Sequence, residues 1–372
     1  TLPNPQQQAG RRPHRFRGRP SPSTHKAESA PLSALPRPRA PARPVFKALT
    51  AYHLPRDAQP DPNKLDAQLA ALPFTPCGPT QPLSLGFVPP RGHAHGPLAE
   101  FVPGGHVMIK LQFEQRLLPG SVVRERVDEL AQKMEQETGR KAGAKRRREL
   151  KDEALLDLLP QAFTRQTSMR VWIAPALELL VIDSTSTARL DAALSALTKA
   201  VSGLAPQPLQ TAESPGACMR AWLLDGVAPQ GFGIGRDAEL RSADVAAATV
   251  RYTRHGLEGP DVQQHLTAGK QVRKLALNWK DRLDFVLTDT LQLTRLKVDD
   301  GAFEQDGLKD SEQDPFDADA LLLTSELGEL LPALFEGLGG RVDGLGVATA
   351  PAAEVTPAAP APAGAGEPAP WD

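Results

Sequence analysis

Seven basic side chains fall within twelve positions in RKAGAKRRRELK, residues 140 to 151. Such a density either solvates a helix face or neutralises phosphates, and the run alone leaves both readings open. On helical spacing Lys141, Lys145 and Arg148 form one stripe. Arg146 turns elsewhere, and Arg147 and Lys151 lie near the edge of an opposite apolar stripe of Leu150, Ala154 and Leu158. A second basic patch favours the phosphate reading. VRYTRHG, residues 250 to 256, supplies Arg251 and Arg254, and GKQVRKLALNWKDR, residues 269 to 282, supplies Lys270, Arg273, Lys274, Lys280 and Arg282. On an extended strand Arg251 and Arg254 fall on opposite faces unless a bend intervenes. No aromatic RNA-binding motif, zinc-finger spacing or helix-turn-helix accompanies these cations. The expected chemistry is therefore sequence-independent contact with a nucleic-acid backbone, not base readout.

Other constellations carry less. GFGIGR, residues 231 to 236, lacks both GxGxxG spacing and the Lys-Ser/Thr of a phosphate loop, and reads as a turn that needs glycine torsions. His93 and His95 form an HxH pair without a third ligand at familiar metal spacing, as expected of an exposed loop. The acids between Val298 and Ala320 do not keep calcium-loop positions and read as an acidic mobile segment. Ser, His and Asp occur without a nucleophile motif, and no carboxylate cluster suggests a two-metal nuclease. The residues supply no candidate active site, metal or cofactor.

The elements that must position the cations follow from periodicity. VFKALTAYHL (45 to 54) predicts a first strand and NKLDAQLAAL (63 to 72) a short helix, followed by a loop-rich stretch punctuated by proline and glycine. HVMIKLQF alternates, with Val107, Ile109, Leu111 and Phe113 on one side and Met108, Lys110 and Gln112 on the other. Ser121 is the expected N-cap of a helix carrying Val123, Val127, Leu130 and Met134, and a second helix runs from Ala144 to Leu159 before Pro160. MRVWIAPALELLVID predicts two strands joined through residues 174 to 176, then a helix from Ala188 to Val201. Strands near ATVRYTR, RKLALNW, LDFVLT and LQLTRLKV, a helix opened by Pro260 and a last helix over 318 to 338 complete the pattern. Without a regular βαβ repeat, this mixture predicts an α+β fold and not a doubly wound sheet.

The chain has 372 residues and a formal net charge of -1, which conceals strong polarity. Residues 1 to 44 carry nine basic side chains against one acid, residues 45 to 298 thirty-two against twenty-seven, and residues 299 to 372 two against sixteen. Local field, not total charge, governs encounter with a polyanion. The first segment is Pro-rich without apolar period and reads as a disordered basic arm, or as an upstream extension of the true start; its prolines oppose an organelle-targeting helix. From Arg341 onward an Ala/Pro/Gly tract reads as a tail, which leaves 45 to 340 as the folded region. Two distant cysteines, Cys77 and Cys218, give no disulfide framework and fit a reducing cytosol. No apolar run is long enough for a membrane span.

VFKALTAYHL, FTPCG, GFVPP, RRELKDEALLDLLPQAF, QGFGIGRDAEL, GKQVRKLALNWKDRLDFVL and FDADALLLTSELGELLPALFEGLGG occur in the order found in the bacterial RdgC family. The chain resembles that family over 45 to 340. The resemblance implies a non-enzymatic DNA-binding protein of the cytoplasm and nucleoid that restrains RecA-dependent recombination. Its subunit would be a mixed α/β horseshoe, closing at both ends into a ring-shaped homodimer around duplex DNA. Residues 121 to 163 would form a helical finger, with Phe163 helping to close the ring or, more simply, filling a core. Arg254 and His255 would match a polar, cationic pair near the inner surface. Gln161 stands where relatives are often basic, and His255 where an amide is expected. The full set expected on DNA is Lys141, Lys145, Arg146, Arg147, Arg148, Lys151, Arg165, Arg251, Arg254, His255, Lys270, Arg273 and Lys274, with duplex and single-stranded DNA as partners. Two alternatives from other classes are a nucleic-acid-processing enzyme such as a nuclease, and an interaction module that touches RecA directly.

Overall fold

Alternating apolar side chains organise the molecule around one antiparallel sheet. The computed structural model describes residues 46–93, 95–244, 248–298 and 315–342. In chain order the strands are β1 (Ala48–His53), β2 (Leu83–Val88), β3 (Ala99–Val102), β4 (His106–Arg116), β5 (Thr164–Ala174) and β6 (Leu179–Ile182). They continue as β7 (Gln207–Pro208), β8 (Phe232–Arg241), β9 (Thr249–Tyr252), β10 (Gln271–Trp279), β11 (Leu283–Thr288) and β12 (Gln292–Val298). Their order in space is β2-β4-β5-β6-β1-β12-β11-β10-β8-β9, with β3 also on β4 and β7 on β1. Each of these strand pairings is antiparallel. The α+β expectation therefore holds.

Two cores lie on opposite faces of this sheet. Val107, Ile109, Leu111 and Phe113 of β4 face Ile173, Val171, Met169 and Thr167 of β5 in register. With Leu180 and Ile182 they bury one face beneath α1 (Pro62–Leu69) and α4 (Thr187–Ala200). The intervening residues Met108, Trp172 and Val181 point the other way, into a second core shared with Leu49, Leu275, Leu287 and Leu293. That core is roofed by α5 (Pro215–Asp225), α6 (Pro260–Thr267) and α7 (Pro315–Gly337), whose Leu323, Leu327, Leu330, Leu331 and Leu334 recur at helical spacing. Each fully buried Leu or Ile contributes about 1.5–3 kcal/mol relative to exposure. Every residue from Leu179 to Ile182 is buried, because β6 is covered on both faces.

Local chemistry explains the helix starts. Pro62, Pro215 and Pro260 sit in the first turn, where no intrahelical amide bond is lost. Asp61 accepts from the amide of Asn63 at 3.0 Å, and Ser214 from that of Ala217 at 3.3 Å.

Several expectations need correction. The loop-rich stretch after α1 contains β2, and β5 begins at Thr164, five residues before the expected Met169. A further helix, α5, opens at Pro215, where no element is expected although Cys218, Met219, Trp222 and Leu223 recur at helical spacing. GFGIGR is not a turn as a whole: Gly231 alone adopts positive φ, at 84°, and β8 begins at Phe232. Ser121 does not cap α2 (Gly120–Thr138), whose N-cap is Pro119 with no side-chain bond. The acidic stretch from 299 to 314 lies outside the described residues, as do the arm and most of the tail.

Candidate nucleic-acid interface

The basic residues concentrate at two places, on different elements. The first is the helical hairpin of α2 and α3 (Ala144–Leu158), inserted between β4 and β5. Gly139 ends α2 in a left-handed conformation, φ 69°, its amide donating to the Glu135 carbonyl at 2.8 Å. Val123 and Ala131 of α2 and Leu150 and Ala154 of α3 are buried, while Leu158 is only half-buried. Ion pairs supplement this narrow apolar seam: Arg126 reaches Asp157 at 2.8 Å, and Arg147 reaches Asp128 at 3.2 Å.

The hairpin divides the basic run. Arg146 pairs with Glu149 at 2.8 Å and Arg147 with Asp128, so both are engaged within the hairpin. Lys145, Arg148 and Lys151 are exposed and make no ion pair among the described residues. Lys141 is exposed too, but it precedes α3 in the interhelical link, so it does not share the helical stripe expected of it. Arg165 lies on β5 and lines a groove of about 390 Å³ with Leu83, Phe113, Leu117, Ala188 and Arg189.

Phe163 is 86% exposed beside that groove, which excludes the core-aromatic reading. Its carbonyl accepts from the Leu117 amide at 2.8 Å. Leu83, Leu117, Val122 and Leu156 are also exposed, an accumulation of apolar surface at this end of the sheet.

The second surface is the face of β8–β12 opposite the second core. Register places Arg251 of β9 against Glu239 of β8, and Lys274 of β10 against the same residue. Arg251 donates to the Glu239 carboxylate at 2.9 Å and Lys274 at 3.3 Å. Burial would raise the Glu239 pKa, but these two cations outweigh it and hold the carboxyl below its usual range. β9 ends at Tyr252, and Arg254 follows in the left-handed region at φ 54°, so the chain bends just beyond the strand. Its amide donates to Asp237 Oδ1 at 2.8 Å. Arg295 of β12 pairs with Asp237 Oδ2 at 3.2 Å. Asp237, Glu239, Arg251, Lys274 and Arg295 line an open recess of about 390 Å³ together with Tyr252.

The remaining candidates are not gathered there. Lys270 approaches His265 Nδ1 at 2.9 Å in the turn after α6, and Arg273 is ion-paired with Asp289. His255 Nδ1 meets the Gly256 carbonyl at 2.6 Å, with its ring 5.4 Å from that of Tyr252. Arg295, Asp237 and Glu239 do not stand out in the sequence. A signal for Arg295 exists: buried Leu293 and Leu296 are three apart, a break in strand alternation that accompanies the bulge the register places between Thr294 and Lys297. Lys110 is a further cation outside the basic runs. It stands opposite Arg170 across β4–β5, and burial, then the Arg170 charge, pushes its pKa down.

His93 and His95 are exposed, and among the described residues no group of three His, Cys, Asp or Glu side chains is arranged to hold a metal ion. No described helix is long and apolar enough to cross a membrane.

An α+β protein with one long antiparallel sheet, a helical hairpin whose basic residues cluster at the link and the start of its second helix, and an open sheet face lined by Arg and Lys is thus the class defined by the structure. The chain belongs to the RdgC family, whose model, described as "Putative exonuclease, RdgC", matches residues 45–341. It is 40% identical over 302 residues to the "Recombination-associated protein RdgC" of Dechloromonas aromatica, covering 80% of this chain and 98% of that one. The protein of the same name from Herminiimonas arsenicoxydans is 38% identical over 297 residues, with 80% and 98% covered. That of Pseudomonas entomophila is 38% identical over 300 residues, with 80% and 97% covered.

Proposed function

We propose that this protein binds DNA through backbone phosphates without sequence preference, and restrains RecA-dependent recombination by occupying the DNA that RecA needs. The observation that carries the reading is the distribution of exposed cations over α3 and the β8–β12 face, without any base-reading motif. Membership of a family whose relatives are named recombination-associated supplies the process. Long, mobile Lys and Arg side chains at irregular spacing suit phosphates, which repeat regardless of sequence.

In this account two horseshoe-shaped subunits close a ring around duplex DNA in the cytoplasm and nucleoid, and single strands bind the same cations. Phe163 and its apolar neighbours form one closure, because an 86% exposed phenylalanine gains most from burial against a second copy. No catalytic step is assigned.

Binding to linear duplex compared with nicked circular duplex of the same length tests encirclement. A ring slides off free ends, so the complex on linear DNA dissociates faster and is rescued by blocking both ends. Equal lifetimes on both forms contradict encirclement. Incubation of the same DNA with Mg²⁺ or Mn²⁺ leaves it intact; cleavage abolished by a point substitution in this chain overturns the non-enzymatic reading in favour of a nuclease.

A further inference from the structure

Arg254 and Arg295 both adopt the left-handed backbone region, at φ 54° and 55°, which non-glycine residues seldom occupy. They lie on different elements, one after β9 and one within β12, yet the same carboxylate holds both. Asp237 Oδ1 accepts the Arg254 amide at 2.8 Å, and Asp237 Oδ2 accepts the Arg295 guanidinium at 3.2 Å. The Arg254 side chain is exposed and makes no ion pair among the described residues, so the clamp fixes its backbone while leaving its charge available. Two residues along the strand Glu239 holds Arg251 and Lys274 from the same face. Two carboxylates thus engage four cationic residues, Arg251, Lys274 and Arg295 through their side chains on one sheet face and Arg254 through its backbone amide.

We infer that Asp237 is a positioning residue for phosphate binding, fixing Arg254 and Arg295 at a set separation, with Glu239 doing the same for Arg251 and Lys274. This inference rests on the proposed DNA binding. It makes a prediction opposite in sign to simple electrostatics. A carboxylate within a Debye length of a phosphate, about 10 Å at 0.1 M salt, repels it, so removing one should tighten binding if field alone matters. If positioning matters, removal loosens it, because both arginines lose the group that orders them.

The test measures affinity of the full chain for duplex of random sequence across a salt series, with thermal melting as a control for folding. Asp237→Ala is expected to weaken binding about threefold to tenfold near 0.1 M salt and to flatten the log K against log salt slope by about 0.9 for each phosphate no longer engaged. Asp237→Asn keeps an oxygen for the Arg254 amide and is expected to recover part of the affinity. Tighter binding by either variant, with the slope unchanged, overturns the inference. If Asp237→Ala does not fold, the double-mutant cycle between Asp237→Asn and Arg295→Ala decides: positioning requires the two effects to overlap, and additive effects overturn it. A wild-type chain that binds no DNA refutes the functional proposal instead, a result distinct from either variant outcome.

Discussion

Lys145 and Arg148 carry the same charge as Arg146 and Arg147, yet their neighbours decide what each can do. Arg147 reaches a carboxylate nineteen positions away on the other helix, which no reading of a single helix could supply. Lys145 and Arg148 keep their charge toward solvent. Reversing both, Lys145→Glu with Arg148→Glu, should weaken DNA binding and flatten the salt slope by about 1.8 if each touches one phosphate, without lowering the melting temperature. If DNA binding falls and inhibition of RecA survives, direct contact with RecA is the better account. Removing Arg147 instead should cost stability of about 0–1 kcal/mol, the range of exposed ion pairs, read from denaturant midpoints. Asp183 poses a different residue-scale question. Burial raises its pKa, although the amides of Lys47 and Ala48 donate to it and oppose the rise. A carboxyl with raised folded pKa favours folding most in its protonated form, so its contribution declines as pH rises from the unfolded value through the folded one. Asp183→Asn keeps the acceptor and removes the charge; melting curves should show equal or higher stability at pH 7 and a flatter pH dependence above about 4.

Among elements, strands with strict alternation are legible in the sequence, while a break in alternation marks a bulge without saying what it brings together. β4 declares both of its faces, because its partners bury one face completely. β2 is hidden among prolines, and its Gly86 reports the reason: a Cβ there would lie 2.4 Å from the backbone of Phe74, so the preceding loop packs directly on the strand. The glycines of GFGIGR likewise serve separate ends. Gly231 takes positive φ and abuts Trp279, where a Cβ would approach the indole to 2.8 Å; a Cβ at Gly235 would come within 2.8 Å of Ala276 Cβ, whereas one at Gly233 would meet only Asn278 Cβ, at 3.8 Å. Gly231→Ala should therefore destabilise by about 1–3 kcal/mol, and Gly233→Ala by much less, in paired denaturant titrations. The α2–α3 hairpin is legible in its extent, since Gly139 and Gly143 bracket the link. Its seam is thin enough that Leu150→Ala should cost about 2–5 kcal/mol locally, seen as faster hydrogen exchange in residues 120–158 with the sheet still protected. The candidate site is half legible: cation-rich runs stand out in sequence, but Asp237 and Arg295 become neighbours only when β12 and β8 fold onto one face.

For the whole molecule, family membership ties this chain to recombination, and the exposed apolar surface around Phe163 is where the proposed ring would close on a second copy. Phe163→Ser should weaken self-association in sedimentation velocity and shorten the lifetime of complexes on circular DNA, since a ring with one loosened closure releases its duplex sooner. The central claim, however, is that affinity comes from phosphates. A chain engaging six to ten of them should lose roughly three to five decades of affinity between about 50 and 200 mM salt, equally for unrelated sequences. Titrating full-length protein onto several duplexes across that range tests the claim most directly: a steep, sequence-independent decline is predicted, and a flat salt dependence or a strong preference for one sequence contradicts it.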